Sequence, residues 1–183
     1  MIPIATVFVD RDGVINRKLP DGEYVNSLDQ FDLLPGSVEA LAALSNAGSR
    51  VIVVTNQQGV GKGLTQPHAL DQIHQRLRAA VAAAGGVLTA IIVCPHIEGS
   101  CDCRKPRIGL FVEAKRRYPQ IEFSDSVVIG DSTCDIEAAG QIGANAILVT
   151  DEQGEPASGR STVSSLAGAV ELLLTPERAD NEV

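Results

Sequence analysis

Asp10-Arg11-Asp12-Gly13 sets two carboxylates two residues apart, directly after an apolar run. On an extended chain, side chains at i and i+2 point the same way, so Asp10 and Asp12 can face one site while Arg11 faces away. Close carboxylates repel, and such a pair calls for a cation or a shared proton. The plainer alternative is a surface turn, in which Asp-Gly is common. A second acidic pair, Asp131 and Asp135, follows Gly130. Brought near the first, it would complete an oxygen site suited to Mg²⁺; alone, it reads as a helix cap.

Cys94-x-His96 and Cys101-x-Cys103 offer three sulfurs and an imidazole, a set that suits tetrahedral Zn²⁺. Four protein ligands close such a site, which makes it structural rather than catalytic. Cys-x-Cys pairs bridge poorly, so a disulfide is disfavoured; a lone redox thiol is the other option. Cys134 stands apart and reads as an ordinary buried thiol. Arg104-Lys105 follows the cluster at once. A rigid metal loop would aim this basic pair; without one it is solvated charge. Thr55-Asn56-Gln57 supplies a hydroxyl and backbone N–H groups for an anion. GVGKG at 59–63 is no P-loop, because Gly63 stands where that pattern needs Ser or Thr, and Leu64 spoils G-x-G-x-x-G. It reads as a flexible loop.

The elements that must hold these residues alternate. Apolar, β-branched runs at 4–9, 50–55, 87–93, 126–130 and 145–150 read as strands buried on both faces. Between them lie helical patterns. One is capped by Ser37 and ended by Gly48; others span 66–85, 108–118, 133–141 and 163–174. Residues 10–35 form a long polar loop with room for a small hairpin. This is a doubly wound, Rossmann-like α/β fold with a parallel sheet, and its ligands bind beyond the carboxyl ends of the strands. The singled-out residues fall at four such ends, and this coincidence carries more weight than any one motif.

The chain has 183 residues, enough for one domain with a real core. A net charge of −8 argues against non-specific nucleic-acid binding but leaves room for a small anion in a local cluster of donors. No apolar run reaches the roughly 20 residues of a membrane span. The N-terminus lacks the basic start of a signal peptide, so the expectation is a cytoplasmic monomer with reduced thiols.

Asp10-x-Asp12-Gly13, Thr55-Asn56, Lys105 and Gly130-Asp131-x-x-x-Asp135 together resemble the four motifs of the haloacid dehalogenase superfamily of phosphatases. DRDGVIN, VVTNQQGVGKG, CPH-x4-CDCRKP and GDSTCD are similar, more narrowly, to the D-glycero-D-manno-heptose 1,7-bisphosphate phosphatases and the related histidinol-phosphate phosphatases. The resemblance implies one phosphatase domain over 1–175 without a large cap, a short zinc loop at 94–103 and a flexible tail at 176–183. It implies Asp10 as nucleophile forming an aspartyl-phosphate, and Asp12 as general acid and base. It puts Mg²⁺ on Asp10, the Asp12 carbonyl and Asp131, and Zn²⁺ on Cys94, His96, Cys101 and Cys103. Gly13, Thr55, Asn56, Arg104 and Lys105 would bind substrate, with Lys62 and Arg107 as further candidates and Asp135 in support. The implied reaction is removal of the 7-phosphate of the heptose bisphosphate. Histidinol-phosphate hydrolysis, or a non-catalytic zinc-stabilised binding module, are the alternatives.

Overall fold

In a computed structural model, residues 5–150 and 161–175 are described. The first residue of the expected 4–9 strand and the expected tail at 176–183 lie outside the described residues. Six strands, β1 (Thr6–Val9), β2 (Arg50–Asn56), β3 (Ala90–Cys94), β4 (Ser126–Gly130), β5 (Asn145–Val149) and β6 (Ser161–Val163), pair in the order β3-β2-β1-β4-β5-β6. Every pairing is parallel. The order reverses around β1, which pairs with both β2 and β4. That switch point is where a doubly wound sheet opens a crevice at its carboxyl edge.

The strand pleat divides the core into two layers. Val7, Val9, Val51, Val53, Val127 and Ile129 face one side and pack on α1 (Ser37–Asn46), α3 (Pro67–Ala83) and α6 (Leu166–Leu174). Phe8, Ile52, Val54 and Val128 face the other and pack on α4 (Gly109–Arg117) and α5 (Thr133–Ile142). Phe8 meets Phe111 edge-on, with ring centroids 5.0 Å apart. Both faces are therefore dry, which is why the strands read as continuous apolar runs.

Four local expectations are corrected. Ser37 does not cap α1: Gly36, at φ 73°, takes the cap position and Ser37 is the first helical residue. The third strand runs from Ala90 to Cys94 rather than 87–93, leaving Val87 exposed. The expected helix at 163–174 begins at Leu166, and the residues before it add β6 to the edge of the sheet. Residues 10–35 hold no hairpin, only isolated bridges and a single 3-10 turn at Leu28–Gln30. This segment contains no large cap. Among the described residues no helix is long and apolar enough to cross a membrane.

Candidate active site

β1 and β4 stop directly before Asp10 and Asp131, and β2 ends on Thr55 and Asn56. Asp10 follows β1, with its amide donating to the Ile129 carbonyl at 2.9 Å. Its Oδ1 lies 2.8 Å from Lys105 Nζ. Lys105 is buried, and its ammonium also donates to the Val54 carbonyl at 2.8 Å and to Asp135 Oδ1 at 2.6 Å. All three ammonium donors are thus used. Asn56 pins the Lys105 backbone from both directions: its Nδ2 donates to the Lys105 carbonyl at 3.1 Å and its Oδ1 accepts from the Lys105 amide at 3.1 Å. The lysine arrives from a distant loop, yet it is fixed as firmly as a strand residue.

Asp135 has two jobs. Its Oδ2 accepts from the Ser132 amide at 3.3 Å while the Ser132 side chain accepts from the Asp135 amide, the reciprocal bonding of a capping box at the start of α5, and Oδ2 also accepts from Ser132 Oγ at 2.7 Å. Its other oxygen holds Lys105. Gly130 makes this possible, since a Cβ there would lie 2.2 Å from the Asp135 side chain. Gly13 is needed for a related reason: it sits at φ 88°, and a Cβ would come within 2.3 Å of Asp131 Oδ2.

Carboxylate oxygens of Asp10, Asp131 and Asp135 all lie within 4.8 Å of one another. Burial pushes Asp10 up to about 7; Lys105 opposes this, while Asp135 and Asp12 add to it. Lys105 itself is held above the usual lysine range, because Asp10 and Asp135 outweigh its burial. The two directions agree once the sharing is counted: one ammonium serves two carboxylates, and Asp10 receives only part of it. An excess of negative charge on hard oxygen donors fits a divalent cation such as Mg²⁺. Lys18 joins this group, its Nζ 2.7 Å from Asp131 Oδ2, with its side chain half exposed.

Arg11 departs from expectation. It does not face away: it is fully buried, and its guanidinium folds back on Asp12, with Nη2 2.9 Å from Oδ1 and 3.0 Å from Oδ2. Strand alternation ends at Val9, so the period-two argument does not reach Arg11. Asp12 also accepts from Asn16 Nδ2 at 2.9 Å and Gln57 Nε2 at 2.7 Å. Burial alone would raise Asp12, but Arg11, Asn16 and Gln57 outweigh it and hold the carboxyl below its usual value. The Asp12 side chain therefore stands apart from the three clustered carboxylates; the resemblance assigns the metal to its backbone carbonyl.

Asp10, Asp12, Thr55, Asn56, Arg104 and Asp131 line one cavity of about 300 Å³. Lys105 lies beneath its floor. Residues 18–25 form one wall. Arg104 Nη1 is buried without a hydrogen-bond partner, an orphaned cationic donor at the cavity. Lys62 and Arg107 are not among the lining residues. Lys62 instead donates to Tyr24 Oη at 2.9 Å, and Arg107 pairs with Asp102 at 2.7 Å. Cys134 is half-buried and lines the cavity, rather than lying in the core. The Gln57 amide, expected among the N–H groups for an anion, instead donates to the Cys94 carbonyl at 2.7 Å. The side chains of Gln57, Asn16 and Lys18 had no role assigned from sequence; no spacing rule ties Gln57 and Lys18 to partners 45 and 113 residues away.

The cysteine loop is compact. Cys94 Sγ lies 3.5 Å from Cys101 Sγ and 3.2 Å from Cys103 Sγ, and His96 Nδ1 lies 3.1 Å from Cys103 Sγ. A sulfur tetrahedron around zinc has edges of roughly 3.8 Å, whereas a disulfide is about 2.05 Å long. Desolvation and the two neighbouring sulfurs push Cys103 up to about 12. At Cys101 desolvation is outweighed by the Arg104 and Cys103 amides and by sulfur contacts, which draw it down to about 6. Three thiolates would need a cation between them, and the donor set fits Zn²⁺. The glycine segment is no free loop: Gln58–Gly61 form a helical turn, α2, and the Gly61 amide donates to the Pro95 carbonyl at 2.8 Å. A Cβ at Gly61 would lie 2.7 Å from that oxygen.

Sheet order and carboxylate array place the chain among the haloacid dehalogenase-type hydrolases, and the HAD-hydrolase-like family matches residues 102–170. Within that class it belongs to the family of the heptose-1,7-bisphosphate 7-phosphatases. The D-glycero-beta-D-manno-heptose-1,7-bisphosphate 7-phosphatase of Pseudomonas putida is 42% identical over 150 residues, covering 81% of this chain and 84% of that one. The D-glycero-alpha-D-manno-heptose-1,7-bisphosphate 7-phosphatase of Mycobacterium bovis is 44% identical over 141 residues, 76% of this chain and 74% of that one. The crystal structure of D,D-heptose 1,7-bisphosphate phosphatase from B. bronchiseptica, complexed with magnesium and phosphate, matches with a TM-score of 0.84 at 36% identity, covering 93% of this chain and 98% of that one.

Proposed function

We propose that this chain is a cytoplasmic, monomeric, Mg²⁺-dependent phosphomonoesterase of one domain, which removes the 7-phosphate of D-glycero-D-manno-heptose 1,7-bisphosphate through an aspartyl-phosphate on Asp10. The observation that carries the reading is the convergence of Asp10, Asp12 and Asp131 on one cavity floored by buried Lys105, in a chain similar over most of its length to enzymes of that name. Asp10 attacks phosphorus with the oxygen that Lys105 does not hold. Asp12 must enter this step carrying a proton, which the negative charge of an arriving phosphate favours against the hold of Arg11, Asn16 and Gln57. It gives that proton to the leaving alkoxide, then takes one back from the water that hydrolyses the acyl phosphate. Thr55 Oγ accepts from Gln57 Nε2 at 2.8 Å, which leaves its own proton for a phosphoryl oxygen. The Asn56 side chain is spent on Lys105, so its backbone N–H is the donor toward substrate. Gly13, at φ 88°, leaves the room beside it that Asp131 Oδ2 occupies. Asp10, Asp131 and the Asp12 carbonyl would hold Mg²⁺, with Asp135 ordering the loop. When bound, the cation neutralises the crowded carboxylates and polarises the phosphoryl group. Arg104, with its unpaired guanidinium nitrogen, suits the second phosphate of a bisphosphate.

Release of phosphate from an aryl phosphate, with and without Mg²⁺, tests the enzyme reading. Mg²⁺-dependent turnover supports it; none at all favours a binding module. Gly13→Ala should weaken Mg²⁺ by about 10- to 100-fold in calorimetric titration, the scale seen when a group that orients a metal ligand is disturbed. The added methyl must displace Asp131, and the backbone conformation is strained as well. Unchanged Mg²⁺ affinity would remove Asp131 from the metal site.

We assign Zn²⁺ to Cys94, His96, Cys101 and Cys103 as a structural ion. It braces the turn that delivers Arg104 and Lys105. Cys101→Ser should lower zinc in elemental analysis and lower Tm, with Mg²⁺ affinity within a few-fold of wild type. Purified wild-type protein without zinc would overturn the assignment.

A further inference from the structure

Behind Asp12 lies a chain of contacts for which the reaction has not yet required a role. Arg11 is fully buried and bonds both Asp12 oxygens; its Nε also reaches Oδ1 at 3.2 Å. The other Asp12 partners each touch one oxygen only, Asn16 on Oδ1 and Gln57 on Oδ2. Arg11 therefore sets the plane of the carboxylate. Its remaining terminal nitrogen, Nη1, lies 3.2 Å from Nε2 of His74, on α3. A guanidinium can only donate, so Nε2 must be the acceptor and the imidazole is neutral with its proton on Nδ1. Burial and the neighbouring Arg11 charge agree, holding His74 down to about 3. The Phe31 ring, 6.0 Å from the guanidinium carbon, closes another side.

We propose that His74 and Arg11 are positioning residues for Asp12, with α3 anchoring the guanidinium through His74 and the guanidinium fixing the carboxylate that serves the leaving group. This deepens the proposed reaction and rests on Asp12 acting in it. A long arginine beside a phosphate cavity has an alternative, to swing out and bind the anion itself. The His74 acceptor, together with complete burial, holds it back. Asp12 then meets the leaving-group oxygen with one orientation rather than many. Misplacement of a reacting group by about 1 Å costs on the order of 10²-fold in rate.

The leaving group separates positioning from general damage. An alkoxide must be protonated as it departs, whereas an acidic phenol departs with little help. kcat/KM reports the steps through phosphoryl transfer, so it isolates the acid role of Asp12 from later hydrolysis. Wild type, His74→Leu, His74→Gln and Asp12→Asn, each with both metals bound, are compared on the heptose bisphosphate and on 4-nitrophenyl phosphate. We expect His74→Leu to lose about 10²-fold in kcat/KM on the alkyl phosphate and no more than a few-fold on the aryl phosphate. His74→Gln, whose Oε1 can accept at the place of Nε2, should recover most of that loss. Should His74→Leu fail to fold, Arg11→Lys carries the test: it keeps the charge, loses the two-oxygen grip and should show the same substrate-selective loss. An equal loss on both substrates, no loss, or a Gln variant as impaired as Leu overturns the proposal. If Asp12→Asn keeps full activity on the alkyl phosphate, the role of Asp12 fails first; if it is impaired while His74→Leu is not, only the positioning role falls.

Discussion

Asp10→Asn releases no measurable phosphate and leaves the fold intact. Loss of an enzyme nucleophile costs on the order of 10⁶-fold in kcat. An amide oxygen can still accept from Lys105 at the place of Oδ1, and Lys105 keeps Asp135 and the Val54 carbonyl. The surroundings therefore lose a charge but no hydrogen-bond partner, and Asp10 sits where burial already works against that charge. Tm should stay within a few degrees of wild type or rise. Acid-quenched enzyme should carry phosphate in wild type and none in the variant. Turnover by Asp10→Asn at more than a trace would assign the nucleophile elsewhere.

Asp12→Asn should lose about 10²- to 10⁴-fold on an alkyl phosphate, the usual contribution of a general acid–base group. The two half-reactions give this variant a signature. With an aryl phosphate the first step needs little acid help, but the acyl phosphate still needs a base for its hydrolysis. Phosphoenzyme should therefore accumulate in Asp12→Asn after a burst of phenol stoichiometric with protein. The amide also places an N–H₂ group against donors from Arg11 and either Asn16 or Gln57, so the loss includes some displacement. Steady turnover without a burst, at a near wild-type rate, would contradict the assignment.

Much of this architecture is legible in the sequence because parallel strands covered on both faces must be apolar throughout. IATVFV, RVIVVT and SVVIG could be little else, and the carboxyl ends of a parallel sheet gather the residues next in the chain at one edge. Asp10, Thr55 and Asp131 are legible that way; Lys105, well beyond the end of β3, is legible only from its place directly after the cysteine cluster. The cysteine loop was legible for another reason: soft ligands so close in sequence have few other uses. β6 was hidden because Ser161–Val163 is three residues long at a sheet edge and carries no apolar run. α2 was hidden because its glycines report close backbone approaches, to Tyr24 and Thr65 at Gly59 and to Pro95 at Gly61, which composition does not reveal. The shell around Asp12 was hidden by distance along the chain. Gln57 and His74 lie 45 and 63 residues from the partners they hold, and only the packing of α3 and β2 around β1 brings them together.

The most direct test of the central claim is kcat/KM for phosphate release, with Mg²⁺ present, from both anomers of D-glycero-D-manno-heptose 1,7-bisphosphate and from histidinol phosphate, with Asp10→Asn as the blank. The Pseudomonas putida and Mycobacterium bovis relatives carry the names of opposite anomers, so the same assay also assigns the anomer. The account predicts a preference of about 5- to 150-fold for one bisphosphate anomer over histidinol phosphate, since leaving the buried Nη1 of Arg104 without its phosphate partner should cost roughly 1–3 kcal/mol. A preference for histidinol phosphate, or equal rates on all three, would contradict it.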